Sequence, residues 1–350
     1  MSEDLAVAVL GFGMAGEGLH AAQVAATPGL RVAAVVTANP QRAARARELH
    51  PDAEVLASAD EVWARAGALD LVVVATPNRS HVPLGLEAVR RGLPVVVDKP
   101  LAASAAEAAE LVEAAEAAGV PLSVYQNRRW DGDFLLVRRT LGSGVLGAVQ
   151  RLEARFDVPL RPARGWRASG DPAEGPGVLL DLGAHLVDQA LTLVGPPDRV
   201  YAELAARGTG AVADDDAFLA PSRDRDDVVV HVWLSRSTSA PGPRFRLVGL
   251  DATLTVDAPE DKDDPLRLAP ARLQGRVSGL DVDGAVGLPP AETGAFYAGV
   301  RDAVRDGAPM PVDPRDALRT ARVLDAARLS AETRQVVAVD ADLRDHGPAR

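Results

Sequence analysis

The stretch LAVAVLGFGMAG, Leu5–Gly16, decides the fold. Six apolar residues in a row read as a strand covered on both faces, and they run straight into Gly11, Gly13 and Gly16 at G-x-G-x-x-G spacing with helical sequence behind. Each glycine has its own physical task. Gly11 permits the tight turn, Gly13 lets a pyrophosphate approach the backbone, and Gly16 lets helix and strand pack closely. The N-terminus of the helix then faces the anion. A purely structural turn can share this spacing, so the strand before and the helix after carry the reading of a dinucleotide site.

Outward from that stretch, the first 125 residues alternate short apolar runs with longer Ala-, Glu- and Arg-rich segments, as strand-helix-strand units do. The predicted strands are Leu5–Leu10, Arg31–Thr37, Glu54–Leu56, Leu69–Ala75, Val95–Asp98 and Leu122–Tyr125, with helices near 15–26, 40–49, 58–66, 79–91 and 104–118. Six strands and five crossovers make a doubly wound parallel sheet. Ser104 and Glu107 fit a capping box, and Gly119 with Pro121 fits the end of that helix. After about Asn127 the texture changes. A helix around 131–141 leads into alternating strands at 148–157, 199–206, 216–220, 226–235, 244–250 and 252–257, interrupted by one apolar helix at 178–194. That pattern predicts an antiparallel sheet. Proline and glycine cluster at 159–177 and 257–290, read as surface loops, and Asp214–Asp216 as an acidic hairpin or loop edge. Helices near 292–306 and 314–333 close the chain. The expected domains are 1–127 and 128–350, with the closing helix able to pack back on the first.

Composition narrows the function. The 350 residues contain no cysteine, so there is no disulfide, thiolate metal site or cysteine nucleophile. A net charge of −11 without a basic face argues against nucleic acid and against an anionic membrane. Leu5–Leu10 follows Glu3 and Asp4 and is too short for a signal or spanning segment, so a soluble cytoplasmic protein is expected. The six histidines form no close ligand pair, and no metal site is expected.

Four places carry chemistry. The second strand ends in VVTANPQR, with no acid at Val36, Thr37 or Ala38 to bind ribose hydroxyls; Thr37, Asn39 and Arg42 could instead surround a 2′-phosphate, which favours NADP over NAD. The alternative is that Asn39 caps the next helix and Arg42 is solvated. The fourth strand ends in ATPNRSH, where Thr76, Asn78 and His81 could reach the cofactor, although such a histidine often merely begins a helix. The fifth ends in VDKP. Lys99 is one of only two lysines among 38 basic residues, and a lysine kept where arginine is otherwise used suggests proton donation or alkoxide stabilisation by a compact ammonium. Fourth, DLGAHLVDQ places Asp181, His185 and Asp188 on one stripe of an apolar helix, where buried ionisable groups need partners or a purpose. His185, with a carboxylate to hold its tautomer, is a candidate proton shuttle.

GFGMAG, ATPNRSH, VDKP, QNRRWDGDF at 126–134, DLGAHLVDQ at 181–189 and FYAGVRDAVRDGAPMPV at 296–312 together resemble the Gfo/Idh/MocA oxidoreductases over nearly the whole chain. The resemblance implies an α/β protein, a Rossmann doubly wound parallel sheet followed by an α+β domain with an open, mostly antiparallel sheet whose broad face serves dimer or tetramer contacts. It implies that Lys99 and His185 are catalytic, that Asp181 binds substrate hydroxyls and that Asp188 supports His185. Phe12, Met14, Pro77, Asp98 and Gln126 would join the cofactor site, and Arg128, Arg129, Trp130 and Trp166 would line or flank the substrate. Asp98 stands where glutamate is usual, and the glycine run before the helix survives only as Gly175 and Gly177 around Pro176. The expected activity is reversible hydride transfer between a nicotinamide and a sugar, polyol or inositol-like substrate. Rivals are a dinucleotide-binding sensor, a C=N or C=C reductase, a dihydrodiol dehydrogenase, and a methyltransferase, for which VDKP has no role.

Overall fold

The computed structural model describes residues 4–159, 168–208, 210–224, 228–257, 274–279 and 283–339. Trp166 lies outside them, as does Lys262. The contacts divide the chain into two compact units, Met1–Asn127 with Glu292–Leu318, and Arg128–Ala291 with Arg319–Arg350.

The first unit is built on a six-stranded sheet: β1 (Leu5–Leu10), β2 (Leu30–Val36), β3 (Glu54–Leu56), β4 (Leu71–Val74), β5 (Val95–Val97) and β6 (Leu122–Val124). Their order is β3-β2-β1-β4-β5-β6, all parallel. The chain reverses direction across the sheet between β1 and β4, and ligands of such sheets bind beyond the carboxyl ends of strands at that point. The apolar runs are continuous because helices cover both faces: Val7–Leu10, Leu71–Val74 and Val95–Val97 are fully buried. Asn39 and Ser104 cap the helices Pro40–Leu49 and Ala105–Ala118, and Gly119 ends the latter in the left-handed conformation. Helix Ala295–Asp306 also belongs to this unit, where Phe296 packs edge-on to Tyr125.

The second unit carries a nine-stranded sheet: β7 (Val149–Pro159), β8 (Arg199–Ala205), β9 (Asp216–Ser222), β10 (Val229–Thr238), β11 (Phe245–Gly249), β12 (Ala252–Val256), β13 (Gln274–Gly279), β14 (Asp283–Gly287) and β15 (Val337–Ala338). Their order is β14-β13-β12-β11-β7-β10-β9-β8-β15; β7 and β10 run parallel and every other pair is antiparallel. Alternation puts Leu152, Ala154, Phe156, Val232, Leu234, Phe245, Leu247 and Leu254 on the inner face, under Val178–Val187 and under Val323, Leu324 and Ala327 of helix Pro314–Thr333. Each buried valine or leucine contributes about 1.5–3 kcal/mol by removal from water. The outer face bears an aromatic cluster: Trp233 lies 5.4 Å from Phe218 and 5.4 Å from His231, with the Arg155 guanidinium 3.7 Å above its ring.

Two expectations require correction. The segment 257–290 contains β13 and β14, not only loop; their sequences QGRVSG and DGAVG lack apolar alternation, and backbone pairing to β12 makes them strands. The single helix expected at 178–194 is two, Gly177–Asp181 and Gly183–Val194, interrupted at Leu182. Glycine disfavours a helix interior, and Gly183 sits where a β-carbon would press at 3.1 Å on both Leu234 and Leu324.

Candidate active site

In the first unit the chain leaves β1 through Gly11, whose φ of +94° favours glycine. A β-carbon at Gly11 would collide with the Ala75 carbonyl beyond β4, and one at Gly16 with the Gly11 carbonyl. These two glycines close strand ends and helix on each other. Gly13 is different: the nearest atom to the place of its β-carbon is Arg42 Nη1, at 3.8 Å. The backbone at Gly13 is therefore open to close approach, which fits the diphosphate of a dinucleotide. Phe12 is buried edge-on to His50, so it offers that loop backbone and not ring, while the Met14 side chain is exposed. The helix after the turn begins as a π-helix, Gly16–Ala21, and continues as Ala22–Ala26.

At the end of β2, Asn39 Oδ1 accepts from the backbone N–H of Gln41 and of Arg42, both at 3.0 Å. The capping alternative for Asn39 is the observed one. Thr37 Oγ1 accepts from Asn39 N at 3.3 Å. Beyond β4, Thr76 Oγ1 accepts from Ser80 Oγ at 2.8 Å, Pro77 precedes the turn Asn78–Ser80, and Asn78 is buried. His81 is buried with Nε2 2.9 Å from the Thr76 carbonyl and Nδ1 2.8 Å from the Pro100 carbonyl. The ring stands between the segment after β4 and the segment after β5, and in its neutral form its single N–H donates to one of the two carbonyls. Burial pushes the His81 pKa below its ordinary value, against Asp98 and the two carbonyls, which pull it up.

After β5 come Asp98, Lys99 and Pro100, the last joined by a cis peptide bond. Asp98 Oδ1 accepts from Lys99 N at 2.8 Å and lies 3.6 Å from His20 Nε2. Burial alone would raise the Asp98 carboxyl, but His20, Lys99 and His81 outweigh it and hold it below the usual range. Gln126 is buried just past β6. The sequence reading did not single out His20 or Tyr297, although both are fully buried polar residues in this cluster.

In the second unit Asp181, His185 and Asp188 are all buried. Asp181 closes the helix Gly177–Asp181, and Oδ2 accepts from Arg236 Nη2 at 2.5 Å. His185 lies in the first turn of the next helix, its ring stacked 6.4 Å from Phe156. Asp188 accepts from Arg129 Nε at 2.8 Å and Nη2 at 2.6 Å, a bidentate pair. Arg128 pairs with Asp131 at 2.9 Å and covers the Phe156 ring at 4.9 Å. Trp130 ends the turn Asn127–Trp130. Arg236, which no motif marked, and the buried Arg244 on Asp133 and Gln189 were both missed; an arginine on an alternating strand carries no signal of which carboxylate it meets. Asp214, on the loop edge before β9, also serves the helix Gly177–Asp181: Oδ2 accepts from Leu179 N at 2.8 Å and its carbonyl from Val178 N at 2.9 Å. Burial raises its carboxyl. Among the described residues no group of three acidic or histidine side chains could hold a metal, and no helix is long and apolar enough to cross a membrane.

Known proteins match both units. Residues 5–126 match the oxidoreductase family with NAD-binding Rossmann fold, and residues 134–255 match the GFO/IDH/MocA C-terminal domain. The uncharacterized oxidoreductase YdgJ of Escherichia coli is 31% identical over 95% of this chain and 98% of its own. The chain belongs to the Gfo/Idh/MocA oxidoreductase family. The scyllo-inositol 2-dehydrogenase (NADP(+)) IolW of Bacillus subtilis is 27% identical over 97% of both chains. The solved structure of yvaA from Bacillus subtilis matches with a TM-score of 0.88 at 25% identity, over 97% of this chain and 99% of that one. This Gfo/Idh/MocA protein is accordingly an NAD(P)-dependent oxidoreductase with a Rossmann domain and a mostly antiparallel sheet domain.

Proposed function

We propose that the protein is an NADP-preferring dehydrogenase that interconverts a secondary alcohol and a ketone on a polyol, sugar or inositol-like substrate. The observation that carries the reading is the carboxyl edge of β1, β4 and β5, where the open backbone at Gly13, the His81 ring and the Asp98–Lys99 pair succeed one another along neighbouring strands. The resemblance to IolW, named for NADP and scyllo-inositol, supports both the cofactor and the substrate class. The nicotinamide ring supplies the redox chemistry when bound, taking or giving the hydride.

The chain's own groups bind, orient and manage the proton. Backbone N–H groups at Gly11–Gly16 hold the diphosphate, and Arg42 with Thr37 meets a 2′-phosphate at the end of β2, where no carboxylate repels it. Asn39 helps only indirectly, by holding the Arg42 backbone. In the oxidising direction the Lys99 ammonium of the first unit would stabilise a substrate oxygen as negative charge grows; in the second unit the imidazole of His185 would take a hydroxyl proton and Asp181 would accept from a neighbouring hydroxyl. Asp188, clamped by Arg129, fixes the helix turn that carries His185. The reducing direction uses the same groups in reverse. The broad outer face of the second sheet, with Trp233 at its centre, joins copies of the chain.

One experiment tests the catalytic and cofactor roles together: a panel of sugars, polyols and cyclitols with NADP and NAD, run on the parent, Lys99→Met, His185→Ala and Arg42→Met. Loss of either acid-base group lowers kcat about 10²- to 10⁴-fold while dinucleotide affinity stays near the parent's. Arg42→Met weakens NADPH at least about tenfold and NADH little, as loss of a charge-assisted bond requires. Near-normal kcat in both Lys99→Met and His185→Ala would remove their roles, and dinucleotide binding without turnover on any substrate would favour the sensor.

A further inference from the structure

His20 and Tyr297 stand 277 positions apart in sequence and meet at 2.6 Å, Nδ1 to phenol oxygen. Both are fully buried. On its other side, His20 Nε2 is 3.6 Å from Asp98 Oδ1, and the same oxygen accepts from Lys99 N at 2.8 Å. Tyr125 packs its ring 4.3 Å from His20 and Phe296 packs on Tyr125 at 4.9 Å, so the imidazole has no room to turn away.

The proton order in this row follows from chemistry. Burial, then the negative character of Tyr125 and Asp98, raises the Tyr297 phenol well above its ordinary value, so it remains an O–H donor. A phenol that donates to Nδ1 leaves the proton of a neutral imidazole on Nε2, where it faces the Asp98 carboxylate. The row then runs Tyr297 O–H to His20 Nδ1, and Lys99 N–H to Asp98, with the buried His20 Nε2, which makes no hydrogen bond, facing the same Asp98 oxygen at 3.6 Å, within electrostatic reach of it. The groups around the carboxylate are His20 from the first helix, Lys99 beside it in the chain, His81 from the helix after β4, and Tyr297 with Tyr125 behind His20.

We propose that His20 and Tyr297 are positioning residues that fix the Asp98 carboxylate, and through the Asp98–Lys99 N–H bond set the backbone from which the Lys99 ammonium projects. This rests on the reading of Lys99 as catalytic and of Asp98 as part of the cofactor site. It gives the closing segment FYAG a task in the chemistry: Tyr297 acts on the strand-end carboxylate through His20.

The test uses the full chain with Tyr297→Phe, His20→Leu, His20→Gln and, as reference, Lys99→Met. NADPH affinity is followed by its fluorescence on freshly mixed samples from pH 3.5 to 8, beside kcat, substrate KM and thermal melting. A folded-state carboxyl held low keeps its contribution above its pKa and loses it as pH falls through that pKa, so weakening the row moves the acid-side loss upward. Tyr297→Phe and His20→Leu move the fall in NADPH affinity up by about one pH unit and lower kcat about tenfold with KM nearly constant. His20→Gln restores most of both, because its amide can donate to Asp98 and its oxygen accept from Tyr297. If Lys99→Met is inactive while both relay variants keep the parent's pH profile, or melt earlier with no change in profile, the inference is overturned. Normal turnover in Lys99→Met would instead sink the catalytic reading, while the NADPH profile still reports on the row. Tyr297→Phe removes a single oxygen and keeps the test decisive if His20→Leu does not fold.

Discussion

At the scale of single residues, the three glycines of one motif separate into two kinds. Gly11 and Gly16 face carbonyl oxygens that any β-carbon would strike, whereas Gly13 faces open space bordered by Arg42. Gly16→Ala is therefore expected to lower stability by about 2 kcal/mol or more, since the Gly11 carbonyl must move out of the turn. Gly13→Ala should leave the melting temperature within a degree or two of the parent, about 0.5 kcal/mol, yet weaken NADPH binding at least tenfold. Equal loss of stability in both would mean that Gly13 is a packing glycine. Lys99 stands out in the sequence because lysine is so rare in this chain, and Asp98 through the resemblance carried by VDKP. His20 and Tyr297 do not, because their meaning arises from a contact between the two ends of the sequence that no local pattern encodes.

At the scale of elements, periodicity gave every strand of the first sheet to within two residues, because parallel strands covered on both faces must be continuously apolar. It failed for β13 and β14, whose glycines and polar residues leave only Val277 and Val286 to mark the face that meets the core, while a ladder of backbone bonds makes them strands. It also joined two helices into one, because the residues around Leu182 are apolar on either side of the break. That break gives Asp181 its place at a helix end, with Asp214 holding the start of the same short helix. Asp214→Ala should cost about 1–2 kcal/mol in denaturant unfolding, the usual loss for a removed N-terminal cap. Asp214→Asn should cost less, since it keeps an acceptor for Leu179 N and removes a carboxylate whose ionisation burial opposes. If both variants match the parent, Asp214 does not support the helix.

At the scale of the whole molecule, stability depends on acid through groups buried against their charge. The folded pKa of His81 is below the ordinary 6.5, so above that pH its contribution is complete, and as pH falls the unfolded chain takes a proton that the folded chain resists. Stability should decline below about pH 6.5 by up to about 1.4 kcal/mol per pH unit from this group. Asp98, held below its usual range, adds a further loss in stronger acid, while Asp157 and Asp214, raised by burial, act in the opposite sense above their unfolded value. Unfolding free energies at pH 7.5 and 5.5 check this: His81→Gln should flatten the slope whatever its effect on absolute stability, and an unchanged slope would exclude His81 as the source. Assembly belongs to the same scale. Trp233→Glu should shift the protein toward a smaller species by light scattering, with activity per active site retained, and an unchanged mass would place any contact between copies elsewhere than this aromatic face.

The partition of the chain also governs how it can be dissected. Because Glu292–Leu318 returns to the Rossmann sheet, a recombinant fragment stopping at Asn127 would leave Tyr125 and His20 uncovered by Phe296 and Tyr297, and Ser123 without the Val312 carbonyl that now accepts from it at 2.9 Å. Such a truncation would present a sticky aromatic wound in place of a portable cofactor carrier. Engineers who wish to graft this module onto another scaffold must therefore transplant two separated stretches of polypeptide and splice them with a linker.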